Sequence, residues 1–253
     1  MGHFIEILET PCGAEGEYLL FCRHAPTIMP ESLPREPDRR VLKWESLDAI
    51  PEPRYRSWVT TLPSEVPSTP ALAVFGGSFD PPHAAHALVP PLVMHATGIS
   101  RVIVTPTYSH ALQKGTKTSF EHRLRMTQLA MSHLTGVEVS PIEADLGGTS
   151  RTYRTLEALA TQNPSHRIYL VIGADILEET HRWYRWDDIT SMATPFVVGR
   201  AGYPSPPHCP FDLPEISSTA IRGRLAGSLD TQGLLAPQVA HYISAHGLYR
   251  DEA

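Results

Sequence analysis

Two histidines three residues apart, His83 and His86, close the stretch Gly76-Gly77-Ser78-Phe79-Asp80-Pro81-Pro82-His83-Ala84-Ala85-His86, directly behind the apolar run 71–75. Two imidazoles and a carboxylate at this spacing allow three kinds of site. They can hold a metal, with Asp80 or Asp175 as a third ligand. They can receive phosphate, because imidazole donors at a helix start add to backbone N–H groups and a dipole that already favour anions. Or the stretch is a plain strand-to-helix turn, its path set by glycines and prolines. Zinc hydrolases that bind metal on a helix place histidines four apart with an acid between. His83-Ala84-Ala85-His86 has neither feature, which favours phosphate over metal. The glycine pair does not fit the G-x-G-x-x-G dinucleotide fingerprint.

A second cluster lies about 130 residues later. Ser217, Ser218 and Thr219 precede a predicted helix over 220–226 that carries Arg222 in its first turn. Hydroxyls, unsatisfied backbone N–H groups and a guanidinium fork suit a phosphate. Taken alone, a simple N-cap with a surface arginine explains the same residues better.

The elements that must position these residues follow from the apolar pattern. Strand-like runs cover 71–75, 101–106, 136–140, 167–173 and 195–199; helical patterns cover 86–97, 120–134, 152–162 and the region around 186–192. Strands alternating with helices predict an α/β fold, a Rossmann-like doubly wound parallel sheet with helices on both faces. Ligands of such sheets sit beyond the carboxyl ends of the strands, where the strand order reverses. Ahead of it, residues 1–68 read as a Pro-rich, partly β N-terminal extension: 3–10 and 17–24 form a plausible hairpin, and 61–70 reads as a linker. The expected division is therefore 1–68 and a main α/β domain, 69–253.

Composition limits the partners. A formal net charge of −6 argues against a general nucleic-acid binder, which needs a basic face. Cys12, Cys22 and Cys209 have no metal-type spacing and read as free thiols in a reducing compartment. No apolar run reaches the roughly 20 residues that span a bilayer, and the start lacks the pattern of a signal peptide. The expectation is a cytoplasmic protein with no membrane and no nucleic-acid partner; self-association into a homo-oligomer stays open.

Read together, GGSFDPPHAAH and ISSTAIR resemble the paired signatures of the nucleotidyltransferase superfamily of the adenylyl/cytidylyl type. More narrowly, the chain resembles the bacterial nicotinate mononucleotide adenylyltransferases over about 71–250. Further stretches stand in the order that family has: SHALQKGTKTSFEHRLRM with its Arg-x-x-Met, SRTYRTLEAL, IGADILEETHRWYRWDDI, FVVGRAGY and VAHYISAHGLYR. The resemblance implies transfer of AMP from ATP to nicotinate mononucleotide, giving nicotinate adenine dinucleotide and pyrophosphate, with Mg²⁺ accompanying ATP. It implies ATP-binding roles for Gly76, Gly77, Ser78, Phe79, His83, His86, Gly173, Asp175, Ser218, Thr219 and Arg222. His83, His86, Lys114 and Arg222 would act on the phosphates in catalysis. His110, Thr152, Trp183 and Arg200 would meet the mononucleotide; no residue is implied as a protein ligand to a metal. Alternatives are nicotinamide mononucleotide or phosphopantetheine as acceptor, or a non-catalytic nucleotide-binding module. The chain departs from the family at Ala85, where glycine is usual, at Arg151, where Ser-Tyr-Thr is common, and in the loop carrying His110 and Lys114.

Overall fold

The computed structural model describes residues 5–11, 18–24, 69–109, 116–177, 179–200, 203, 209 and 211–250. The chain divides into two compact units, Met1–Pro51 and Glu52–Ala253. In the first, β1 (Ile5–Pro11) and β2 (Tyr18–His24) form the expected antiparallel hairpin, with Ile5 opposite His24 and Pro11 opposite Tyr18.

The second unit holds a six-stranded parallel sheet of β3 (Ala71–Gly77), β4 (Val102–Pro106), β5 (Val137–Val139), β6 (Arg167–Gly173), β7 (Ala193–Arg200) and β8 (Asp212–Leu213). Their order is β5-β4-β3-β6-β7-β8. Central strands covered on both faces must be apolar throughout rather than alternating, and β4 is buried at every residue. Successive side chains still go to opposite faces. Leu72 and Val74 join Ile103, Leu170, Leu156 and Ile189 on one side, whereas Ala73 and Phe75 join Val104, Val171, Val89 and Val93 on the other. Helix α1 (Ala84–Thr97) supplies Val89 and Val93 to one face; α4 (Thr152–Gln162) and α6 (Trp186–Met192) supply Leu156 and Ile189 to the other.

A third apolar cluster builds the end that carries the second basic stretch. Met126 and Ala130 of α2 (Phe120–Met131), Ile221 of α7 (Ser218–Ala226) and Val239 and Ile243 of α8 (Pro237–Ala245) pack together there. The pieces not expected from pattern are α3 (Ile142–Leu146), α5 (Ala174–Leu177), a 3₁₀ turn over Thr180–Arg182, the strand β8 and the helix α8. Helix α2 ends three residues before the predicted boundary. Helix α1 begins two residues before it, because His83 is its extended N-cap at φ −141° and ψ 176°. Among the described residues no helix is long and apolar enough to cross a membrane.

Strand order reverses between β3 and β6: β4 leaves to one side and β6 pairs on the other. The crevice beyond their carboxyl ends is where this topology leaves room for a ligand. Gly76, Gly77 and Gly173 are the last residues of those two strands.

Candidate active site

The turn after β3 is held in an unusual shape. Phe79 has a left-handed backbone, φ 50°, that bulky residues avoid. Its ring is 1% exposed and meets Phe75 and His86 edge-on, with centroids 5.5 and 5.0 Å away. A Cβ on Gly77 would lie 2.9 Å from the Phe79 ring, so glycine is required where the chain folds back on itself. The backbone after it is gripped by three side chains from two helices. Arg123 of α2, itself 1% exposed, donates to the Ser78 carbonyl at 2.8 Å. Arg222 of α7 donates to the Asp80 carbonyl at 2.7 Å, and the Ser218 hydroxyl to the Pro81 carbonyl at 2.9 Å.

The histidines leave this turn as a stacked pair, ring centroids 3.7 Å apart and planes inclined by 24°. The His83 backbone N–H donates to His86 Nδ1 at 3.2 Å. That bond assigns the proton of a neutral His86 to Nε2, its outward donor. Burial, then the Arg200 charge, lowers the His83 pKa to about 4. Burial, His83 and Arg200 together hold His86 well below the usual histidine range. Both rings are therefore neutral donors near pH 7 rather than cations. His83 is 6% exposed, and its Nδ1 is buried with no hydrogen-bond partner. A buried polar atom without a partner is costly unless something completes it.

One pocket collects six of the expected residues. His83, Ala85, His86, Gly76, Gly173 and Asp175 line it together with Arg200, Pro214 and Ile216. Arg200, expected on the mononucleotide side, thus stands at the end of β7 across from the two histidines, paired with the Asp175 carboxylate. A Cβ on Gly173 would lie 2.3 Å from Asp175 Oδ1, so glycine at this strand end makes room for the pair. Ser217, not Ser218, caps α7 by accepting the Ala220 N–H at 3.1 Å. Thr219 accepts from the second arm of Arg222 at 3.1 Å.

Thr152 and Trp183 stand apart from this pocket, on the elements covering the opposite face. Thr152 begins α4, and Trp183 follows the 3₁₀ turn with its ring perpendicular to Trp186 at 5.6 Å. Beside them Arg151 lies over the Tyr184 ring at 5.2 Å. The end of β4 is fastened nearby. Glu143 of α3 accepts the Tyr108 N–H at 3.0 Å and the Thr155 hydroxyl at 3.3 Å, and burial raises its pKa. His110 and Lys114 lie outside the described residues. Arg123 and Glu143 carry the site's backbone and were not picked out by sequence. Arg123 stands in the Arg-x-x-Met stretch, which was the available signal; Glu143 had none.

A doubly wound sheet whose switch point is ringed by histidines, arginines and a capped helix start defines a nucleotidyltransferase. A family model described as Cytidylyltransferase-like matches residues 74–224. The probable nicotinate-nucleotide adenylyltransferase of Anaeromyxobacter sp. (strain K) is 46% identical over 182 residues, covering 71% of this chain and 96% of that relative. The probable enzyme of the same name from Enterococcus faecalis is 36% identical over 188 residues, 72% and 85% of the two chains. The chain belongs to the nicotinate-nucleotide adenylyltransferase family. The solved nicotinic acid mononucleotide adenylyltransferase of Plasmodium falciparum, complexed with NaAD, shares the fold at a TM-score of 0.61. It is 20% identical, and the match covers 71% of this chain and 97% of that one.

Proposed function

We propose that the protein transfers AMP from ATP to nicotinate mononucleotide, releasing pyrophosphate and forming nicotinate adenine dinucleotide. The observation that carries the reaction class is the docking of Ser218 and Arg222 on the Pro81 and Asp80 carbonyls. It sets the second phosphate-type cluster against the turn that carries His83 and His86. The relatives' names support the acceptor.

The attacking group is a phosphate that is already anionic, so no strong base is needed. Its oxygen forms a bond to the α-phosphorus of ATP while the bond to pyrophosphate breaks. Rate then depends on alignment and on neutralising charge as it moves onto the leaving group. The Nε2–H of His86 and the guanidinium of Arg222 are donors of the right kind, and the start of α7 adds N–H groups aimed at an anion. Lys114 adds a cation in the same role. Arg200 supplies the charge that the neutral histidines lack, and its pairing with Asp175 fixes its direction. We place Arg200 on the ATP side and assign the mononucleotide to Thr152, Trp183 and His110.

Enzymes of this class that use ATP commonly need a divalent metal. Among the described residues no three of His, Cys, Asp and Glu come together to hold an ion, and Asp175 is engaged by Arg200. The donor set present therefore suits Mg²⁺ carried on the triphosphate, where it neutralises phosphate charge. We assign catalysis to residues 69–253 and a cytoplasmic setting, since ATP and the mononucleotide are soluble metabolites. The deciding experiment offers purified protein ATP and Mg²⁺ with nicotinate mononucleotide, nicotinamide mononucleotide or phosphopantetheine, and follows pyrophosphate. Fastest release with the nicotinate form is expected. Silence with both pyridine acceptors refutes the assignment, and ATP binding without turnover identifies a regulatory module instead.

A further inference from the structure

Asp80 is not among the residues lining the pocket and is 3% exposed. Its carboxylate collects three donors from distant parts of the chain: the Lys117 N–H at 2.6 Å, the Thr118 hydroxyl at 2.8 Å and the Tyr249 phenol at 2.6 Å. Thr118 and Tyr249 also touch one another at 3.3 Å. A buried carboxylate is tolerable only when it is satisfied in this way. The same residue's carbonyl holds Arg222, and the next carbonyl holds Ser218. Asp80 therefore faces two ways, toward the C-terminal segment through its side chain and toward the phosphate cluster through its backbone.

Tyr249 is built for this contact at some cost. Its backbone lies in the left-handed region at φ 60°, where a bulky residue is strained. The chain is turned into that position by the Leu248 N–H donating to the Ile243 carbonyl at 3.0 Å, while Leu248 and Tyr249 pack beside Val239 and Ile243. Burial and the adjacent carboxylate hold the phenol well above its usual pKa, which keeps the proton it donates.

We propose that Tyr249, four residues from the end of the chain, is a positioning residue for the triphosphate: through Asp80 it fixes the carbonyls on which Arg222 and Ser218 rest. It touches no reacting atom. The proposal rests on the adenylyl-transfer reading for which ligand is ATP and which is acceptor, and its primary measurement, ATP binding by calorimetry, does not require turnover.

The test compares Tyr249→Phe and Thr118→Val with Tyr242→Phe, whose hydroxyl bonds His122 on the same helical end and does not reach Asp80. Tyr249→Phe and Thr118→Val should each weaken ATP binding about tenfold and raise KM for ATP alike, leaving KM for the mononucleotide within about twofold. Tyr242→Phe should leave ATP affinity unchanged even where its melting temperature falls as far. An ATP affinity equal to wild type in Tyr249→Phe overturns the proposal. So does equal weakening of both substrates, or an equal loss in Tyr242→Phe, since either would show general loosening. Absence of turnover in wild type, with the affinity difference intact, would instead remove the reaction assignment.

Discussion

Neutral imidazoles are an unexpected choice for the triphosphate site proposed above, and the arrangement around them explains it. His83 and His86 are stacked, desolvated and faced by Arg200, so charging either ring before the anion arrives is unfavourable. In the proposed reaction, donor direction rather than charge is what His86 provides. Replacing it with alanine should cut kcat by 10²–10³, about 3–4 kcal/mol, the loss typical of one preorganised donor at developing charge. Pyrophosphate release under saturating substrates measures this, and a near-normal rate would remove His86 from the phosphate path. Ala85 is the neighbouring question. It is 4% exposed and lines the pocket with the histidines, so its methyl sets how near the backbone can come to a nucleotide. Ala85→Gly should lower KM for ATP severalfold while costing roughly 0.5–1 kcal/mol of stability. Steady-state kinetics and a melting curve separate the two effects.

At the scale of elements, the proposed phosphate loop is a turn held from outside rather than one stable by itself. Gly77 leaves just enough room for the inward Phe79 ring, and the surrounding core is close-packed. Gly77→Ala should destabilise the protein by about 1–3 kcal/mol, since overpacking cannot relax where the partner is buried; urea unfolding monitored by tryptophan fluorescence would show it. Such dependence on distant supports also explains what was legible in sequence. Strands β3, β4, β6 and β7 were readable because each is an apolar run with turn residues at its ends. The two clusters proposed to meet phosphate stood out because their residue types are rare in combination. Helix α3 is five residues long, too short to show a period, yet it carries Glu143 to the end of β4. Arg200 was visible as a residue but not as a pocket wall, because its side is decided by the β6–β7 pairing that brings it to Asp175. The grip of Tyr249 on Asp80 spans 169 residues, and no local pattern encodes it.

The whole molecule adds the consequences that no single residue carries. His83 keeps a pKa near 4 when folded against 6.5 as the ordinary value. Between these values the unfolded chain binds the proton and the folded one does not, so stability falls as pH drops from about 6.5 toward 4. At 1.36 kcal/mol per unit the loss is at most about 3.4 kcal/mol, with His86 adding in the same direction. Glu143 acts in the opposite sense, since its raised pKa makes protonation favourable in the fold. Melting curves across that range should show a falling midpoint, and the decline should be shallower in His83→Gln. The N-terminal extension is the remaining large-scale question. The Anaeromyxobacter relative is 96% covered by 71% of this chain, and the family model matches residues 74–224. Every described pocket residue and every support of the phosphate loop lies at or beyond Phe75. A protein comprising residues 69–253 should therefore keep kcat/KM for both substrates within about threefold of the full chain. Steady-state assays on the two forms, run side by side with the nicotinate acceptor, make the comparison. A tenfold loss with an unchanged melting temperature would assign the extension a part in catalysis, whereas equal rates leave it free for another task.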